Sequence, residues 1–395
     1  MRKNKGKNQD IGDDNMIYLD GAATKEPSHI SKMAINEGLE CWGNPSSNYD
    51  LSDKAKSLIH VARRRVADSI GAQESEIVFT SGGSEADNMA IKGVVFANKQ
   101  PSKHIITSKI EHKAVLETCK FLEENGFADV TYIDIYRDGV VDTNELERAI
   151  RPDTILISIM AVNNELGSVQ PLRKIGAIAK QHGILFHTDA VQAYGKIDVN
   201  VEQFSCDLMS ASGHKIGTPK GIGFLYVREG TPIAPLIHGG KQENGLRAGT
   251  ENVPYINALG YEAMTINTKE HHSEMVHSKI KLTDALKEEF GNEIHFAVSP
   301  RNTLGIINIA FDDIDASTLQ AFLSLNDIAV SIGSACNSGT KSPSHVLQAL
   351  DIPENMINNY IRLSMPYKQL TDGEIMKIVT TLKAGKFMFS NSLKG

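Results

Sequence analysis

The sequence predicts an α/β protein: a large, mostly parallel sheet covered by helices on both faces, followed by a smaller α+β C-terminal domain. Two observations carry this expectation. From about residue 50, short apolar runs alternate with amphipathic helical patterns, the order that a parallel sheet with crossover helices demands. Past the long helical stretch that ends near Phe290, apolar strands and helices follow one another in a different, α+β order. A chain of 395 residues is long enough for about two such domains. The expected boundaries are a disordered tail over 1–15, a large domain over 16–265 and a small domain over 266–395. The segment 16–30 is a candidate to pack on the small domain, which also carries the loop around Cys336.

Taken in order, "LSDKAKSLIHVARRRVADSIG" reads as an amphipathic helix closed by Gly71. The apolar runs "EIVFT", "HIITS", "VTYIDI", "TILISIMAV", "ILFHTDA", "CDLMSAS" and "IGFLYV" read as strands. Between the earlier ones lie the helical stretches "EADNMAIKGVVFANK", "HKAVLETCKFLEENG" and "PLRKIGAIAKQHG". One long helical stretch runs from about Asn257 to Phe290. After it come the strand "LGIINIAF", a helix near "DASTLQAFLSLN", the strand "IAVSI", the Cys336 loop, the helix "PSHVLQAL", the strand "YIRLS" and a last helix "TDGEIMKIVTTLKAG".

Bulk properties exclude several classes. The formal net charge is −7, so no global basic field draws nucleic acid. The basic start "MRKNKGK" has no apolar core of a secretory signal. No apolar run approaches the roughly 18 residues of a membrane span. The four cysteines, Cys41, Cys119, Cys206 and Cys336, are far apart and form no C-x-x-C pair, so neither a disulfide scaffold nor a structural zinc site is expected. A reducing cytoplasm suits them. Cys119 and Cys206 read as small buried hydrophobes; Cys41 has no clear placement.

In sheets of this kind ligands bind outside the carboxyl ends of the strands. There the polar segments gather: "SGGSEADN", "KIEH", "NNELG", "TDAVQ" and "GHKIGTPKG" each follow a strand. "SGGSEADN" offers backbone N–H groups and a helix N-terminus to an anion, or else is a tight turn with Ser84 as helix cap. Lys215, set between a strand and a glycine-rich stretch with Ser212 and His214 beside it, is a candidate for Schiff-base chemistry rather than an ordinary solvated charge. Asp189 ends a buried strand and needs a cationic or hydrogen-bonding partner; the protonated ring nitrogen of pyridoxal 5'-phosphate (PLP) would be one. His112 ends another strand, where its imidazole could stack on that flat ring. His271, His272 and His277 lie in a charged helical stretch and suggest no chemistry. Cys336 sits in "VSIGSACNSGTK", a polar loop of small residues unlike a core thiol's surroundings.

Together these stretches resemble the PLP-dependent cysteine desulfurases of the class V aminotransferase group, which have the type I fold of PLP-dependent transferases. The matching motifs are "YLDGAAT", "GNPSS", "TSGGSEADN", "EHKAVLETC", "NNELGSVQ", "HTDAVQAYGK", "SGHKIGTPKGIGFLYVR", "HGGKQENGLRAGTEN", "GSACNSG" and "PSHVLQAL…IRLS". They run in family order from about Tyr18 to the last helix.

The resemblance implies that Lys215 carries the cofactor, that Gly83, Ser84, Ser212 and His214 hold its phosphate, and that Thr250 helps from the partner subunit of a homodimer. It further implies Asp189 on the pyridinium nitrogen, Gln192 on the ring hydroxyl and His112 stacked on the ring. Asn164 and Arg362 would fix the carboxylate of L-cysteine, and Cys336 would take its sulfur as a persulfide. The sulfur would go on to acceptor proteins, iron–sulfur scaffolds or thiolation enzymes.

The sequence departs from the pattern at Tyr49 and Ser52, where the family has His and Gly, and at Gly21 and Lys25. These changes bear on partner or substrate preference more than on the chemistry. A selenocysteine lyase, another class V PLP enzyme, or a scaffold that has lost catalysis are the alternative readings.

Overall fold

The computed structural model describes residues 16–333 and 343–390. The N-terminal tail and Cys336, both singled out by the sequence, lie outside the described residues.

The strands are β1 (Ile17–Tyr18), β2 (Ile77–Thr80), β3 (His104–Ser108), β4 (Asp129–Ile133), β5 (Thr154–Ser158), β6 (Leu185–Asp189), β7 (Leu208–Ser212), β8 (Gly223–Val227), β9 (His295–Phe296), β10 (Ile306–Ala310), β11 (Ile328–Ala329), β12 (Ser331–Ile332) and β13 (Ile361–Ser364). The central sheet has seven strands in the order β2-β8-β7-β6-β5-β3-β4. All its pairings are parallel except the two made by β8. Since β8 alone runs backwards, the carboxyl ends of the other six strands share one edge. Most of these strands are buried along their whole length, which explains their continuous apolar runs.

The expected helices form. The helix Asp50–Ile70 ends at Gly71, whose φ of +71° gives the left-handed cap. Helix Leu172–His182 packs so tightly that a Cβ added at Gly176 would lie 1.8 Å from the Phe204 carbonyl oxygen. A second, four-stranded antiparallel sheet, β12-β13-β10-β9, holds the C-terminal part together. Strand β1 pairs in parallel with β11, carrying the N-terminal segment across to this part of the molecule.

Three expectations need correction in detail. The long helix near Asn257 to Phe290 is two helices, Val253–Thr265 and Thr268–Phe290, with Asn267 capping the second through its side chain. The run "IAVSI" is not one strand: β11 and β12 belong to different sheets, separated by Val330. His271 is not merely solvated, because its ring stacks on Tyr367 at 4.4 Å and its Nδ1 lies 2.8 Å from the Gly195 carbonyl oxygen. Cys119 and Cys206 are fully buried, and Cys41 is half-buried.

Candidate active site

Each strand end at the shared edge delivers a functional side chain for a local reason. After β2 the chain turns at Gly82 and starts the helix Gly83–Ala97 at Gly83, so Gly82 rather than Ser84 is the cap. A Cβ on Gly83 would lie 2.6 Å from Val191 Cγ2, so only glycine lets this first turn sit against the loop after β6. Ser212, the last residue of β7, faces the same turn: its Oγ lies 3.8 Å from where a Gly82 Cβ would stand. Beyond Ser212 a short 3-10 turn, Gly213–Lys215, projects His214 and Lys215.

Lys215 Nζ donates to the carbonyl oxygens of Ala22 and Ala23, 2.7 Å from each. His214 Nδ1 lies 3.2 Å from Thr24 Oγ1, and burial, helped by the charge of Lys215, pushes its imidazole down to about 4. It is therefore neutral at physiological pH.

His112 caps the helix Lys113–Glu124, its Nδ1 accepting from the Ala114 N–H at 3.2 Å. An accepting Nδ1 leaves the ring proton on Nε2. Asp189 ends β6 and accepts from the Val191 N–H at 2.8 Å. Burial pushes its carboxyl up, while the neighbouring His112 and Lys215 pull it back. Beside it lies Asp87, also buried, raised by burial and by the Asp189 charge; its Oδ1 has no hydrogen-bond partner among the described residues and lies 3.7 Å from His187 Nε2. Carboxylate oxygens of Asp87 and Asp189 and a ring nitrogen of His112 all lie within 4.8 Å of one another.

These groups line a single cavity of about 180 Å³, shared by Gly83, Ser84, Asp87, His112, Asn164, Asp189, Gln192, Ser212, His214, Lys215 and Arg362. Arg362, on β13, is 1 % exposed. It donates to the Asn164 carbonyl oxygen and to Asp20 Oδ1, 2.8 Å each, and its Nε has no partner among the described residues. Of the site residues the sequence singled out, Thr250 is exposed and is not brought to the cavity by its own chain. Sequence reasoning assigned no role to Asp20, Asp87 or the Ala22–Ala23 carbonyls. Their signal was present in a lone Asp before "GAAT" and a second Asp inside "SGGSEADN".

The donor set fits PLP. Hydroxyls and helix-start amides gather at one end, as a phosphate needs. Buried carboxylates with an unpartnered oxygen gather at the other, as a protonated ring nitrogen needs. The Lys215 amine stands with them. The spacing of Asp87, His112 and Asp189 alone would also admit a metal ion; the glycine turn and the lysine beside it suit PLP.

Comparison with known proteins agrees. The family model described as aminotransferase class-V matches residues 17–375. The chain is 47% identical over 356 residues to a cysteine desulfurase IscS of Methanosarcina thermophila, covering 88% of this chain and 87% of that protein. It is 45% identical over 361 residues to the cysteine desulfurase IscS of Dictyoglomus turgidum, covering 88% and 89%. Among solved structures, a NifS-like protein superposes with a TM-score of 0.84 at 36% identity, covering 95% of this chain and 99% of that one. SspA, solved in complex with cysteine, gives 0.78 at 40% identity, covering 90% and 100%. The chain belongs to the class-V aminotransferase family and, within it, to the cysteine desulfurases.

Proposed function

We propose that the protein binds PLP through Lys215 and takes sulfur from L-cysteine, releasing L-alanine and holding the sulfur as a persulfide on Cys336 for acceptor proteins. The observation that carries this reading is the meeting of the Lys215 amine, the Asp189 carboxylate, the Gly83 turn and the Arg362 guanidinium around one cavity. When bound, PLP supplies an electron sink for the pair released at the substrate Cα.

The chain's own groups do the rest. Arg362 and Asn164 grip the substrate carboxylate, the guanidinium fork matching its two oxygens. The Lys215 amine, placed by the Ala22 and Ala23 carbonyls, takes and returns the Cα proton. Asp189, ionised beside a cationic ring nitrogen, keeps that nitrogen protonated. Cys336 attacks the substrate sulfur as a thiolate, the only nucleophilic form of the group; the S–S bond forms as the substrate Cβ–S bond breaks, and the electron pair stays on the carbon side, where a proton completes alanine.

The same reading makes the protein a cytoplasmic homodimer in which Thr250 reaches the partner's phosphate site. Its exposed position supports this, as do Met33, Leu39 and Trp42, exposed along and just beyond the helix His29–Glu40. It also divides the chain into domains over 16–265 and 266–395, and assigns the sulfur to iron–sulfur cluster assembly or to tRNA or cofactor thiolation.

The test is direct. The wild type incubated with PLP is expected to turn yellow and to yield alanine from L-cysteine. Cys336→Ala should keep the colour and lose persulfide formation; unchanged sulfide release by that variant overturns the role of Cys336. Turnover of selenocysteine with none of cysteine would reassign the enzyme as a selenocysteine lyase.

A further inference from the structure

Lys196 lies four residues beyond Gln192, is buried, and donates from Nζ to the Gln192 side-chain oxygen. The other end of the same amide, Gln192 Nε2, donates to the Ala22 carbonyl oxygen at 2.7 Å. That carbonyl also accepts from Lys215 Nζ at 2.7 Å. A lysine ammonium offers only donors and a backbone carbonyl only accepts, so the orientation of the amide is set from both ends. Its oxygen is taken by Lys196, and its second Nε2 hydrogen is left to the cavity that Gln192 lines.

We infer that Lys196 is a positioning residue: in its charged form it holds the Gln192 carbonyl so that the amide presents an N–H rather than its oxygen to the ring oxygen of the bound cofactor. The inference rests on the reading of the cavity as a PLP site. A glutamine held at neither end turns its amide freely, and half of its orientations would aim an oxygen at an oxygen; without Lys196 the Ala22 carbonyl is the one remaining hold among the described residues, and Lys215 shares it.

Lys196 also stands in an unusual field. The charges that weigh most on it are Lys215 beyond β7, Arg362 on β13 and Lys25 in the N-terminal segment, all cations. Burial and this repulsion together bring its amine down to about 7. The coupling is mutual: a charged Lys196 opposes protonation at Lys215, to which it is linked through the Gln192 amide and the Ala22 carbonyl.

The test uses the full chain stripped of PLP and reloaded, with two readouts besides turnover. One is the dissociation constant for PLP; the other is the pH midpoint of the bound cofactor's visible band. Lys196→Met, which keeps the apolar stem, is expected to weaken PLP binding about tenfold, in line with a lost charge-assisted hydrogen bond. It should also raise the band's midpoint by roughly one pH unit, since a neighbouring cation is gone. In a Gln192→Met background the same change should cost no more than about twofold in affinity, because sites that act through one another are not additive.

A folded Lys196→Met protein that binds PLP as tightly as the wild type, with its midpoint unmoved, overturns the inference. So does an equal loss in both backgrounds. If Lys196→Met does not fold, Lys196→Gln serves: it restores a donor without the charge and should recover the affinity while keeping the raised midpoint. Failure to recover the affinity counts against the clamp. A wild type that takes up no PLP at any concentration refutes the proposed function instead, so the two failures are told apart.

Discussion

Arg362 is among the largest fully buried side chains, and what surrounds it decides whether its charge is tolerable. Its guanidinium, at the wall of the cavity, is held by Asp20 and by the Asn164 carbonyl, and its Nε has no partner among the described residues. Asp20 thus balances the buried charge and keeps the fork in place, and under the proposed function it also competes with the substrate carboxylate for it. Asp20→Asn should cost about 2 kcal/mol in a urea melt, the order of a hydrogen bond to a charged group. Arg362→Lys keeps the charge and loses the planar fork. It should raise KM for cysteine by roughly tenfold or more while PLP still binds, measured by steady-state kinetics beside the cofactor spectrum. The place of Arg362 at the cavity was legible in the motif "IRLS"; its pairing with Asp20 was not, because the two residues are 342 positions apart in sequence.

At the scale of elements, the strand-to-helix turns do most of the positioning. Gly83→Ala would drive a methyl group into Val191 at 2.6 Å and push the helix start off the phosphate position. The expected outcome is PLP affinity lowered about tenfold with little change in far-UV circular dichroism, as the helix itself favours alanine. Gly176→Ala is the structural counterpart, since its Cβ would meet the Phe204 carbonyl oxygen at 1.8 Å. It should destabilise the fold by about 1–3 kcal/mol without changing the cofactor spectrum of the folded fraction.

The departure at Ser52 also finds its reason at this scale. The Ser52 side chain is buried and its hydroxyl donates to the Ser47 and Tyr49 carbonyl oxygens at 2.8 and 2.7 Å. It ties the "GNPSS" loop to the start of the helix Asp50–Ile70, a contact that a glycine at this position could not make. If the surface around Trp42 is a subunit contact, Trp42→Asp should halve the mass seen by light scattering.

Two buried titrating groups beneath the site shape the stability of the whole molecule. His187 lies between Ser158 Oγ at 2.8 Å and Ser210 Oγ at 2.9 Å, and burial pushes it down to about 3 from an ordinary 6.5. Between those values the unfolded chain binds a proton that the folded one does not, so stability falls as pH drops through that window. Glu111 accepts from Ser108 and from the Met160 N–H, and burial pushes it up to about 8 from an ordinary 4.5. There the folded chain keeps a proton that the unfolded one has lost, so stability falls as pH rises from about 4.5 to about 8. The two limbs make a dome. Urea midpoints measured from pH about 3 to about 9 should show it, and Glu111→Gln should make the alkaline limb shallower, with Asp87 and Asp189 still contributing to it, and leave the acid limb unchanged.

The sequence by itself determined the fold class, the family and most of the cavity. Buried parallel strands leave continuous apolar runs, and the polar residues that follow them are gathered at one edge by the sheet, whatever the packing elsewhere. Gly83, His112, Asp189 and Lys215 are legible for that reason. What only the tertiary structure decided are contacts between segments distant in the chain. The Ala22 and Ala23 carbonyls on Lys215, Asp20 on Arg362, and the Ala22 carbonyl on the Gln192 amide are all of this kind. No periodicity reports them, because each depends on the N-terminal segment crossing to the far sheet through β1 and β11 and folding back over the strand ends. The breaks at Ile266 and Val330 were hidden likewise, since local propensity runs on through a point where packing forces the chain to change partners.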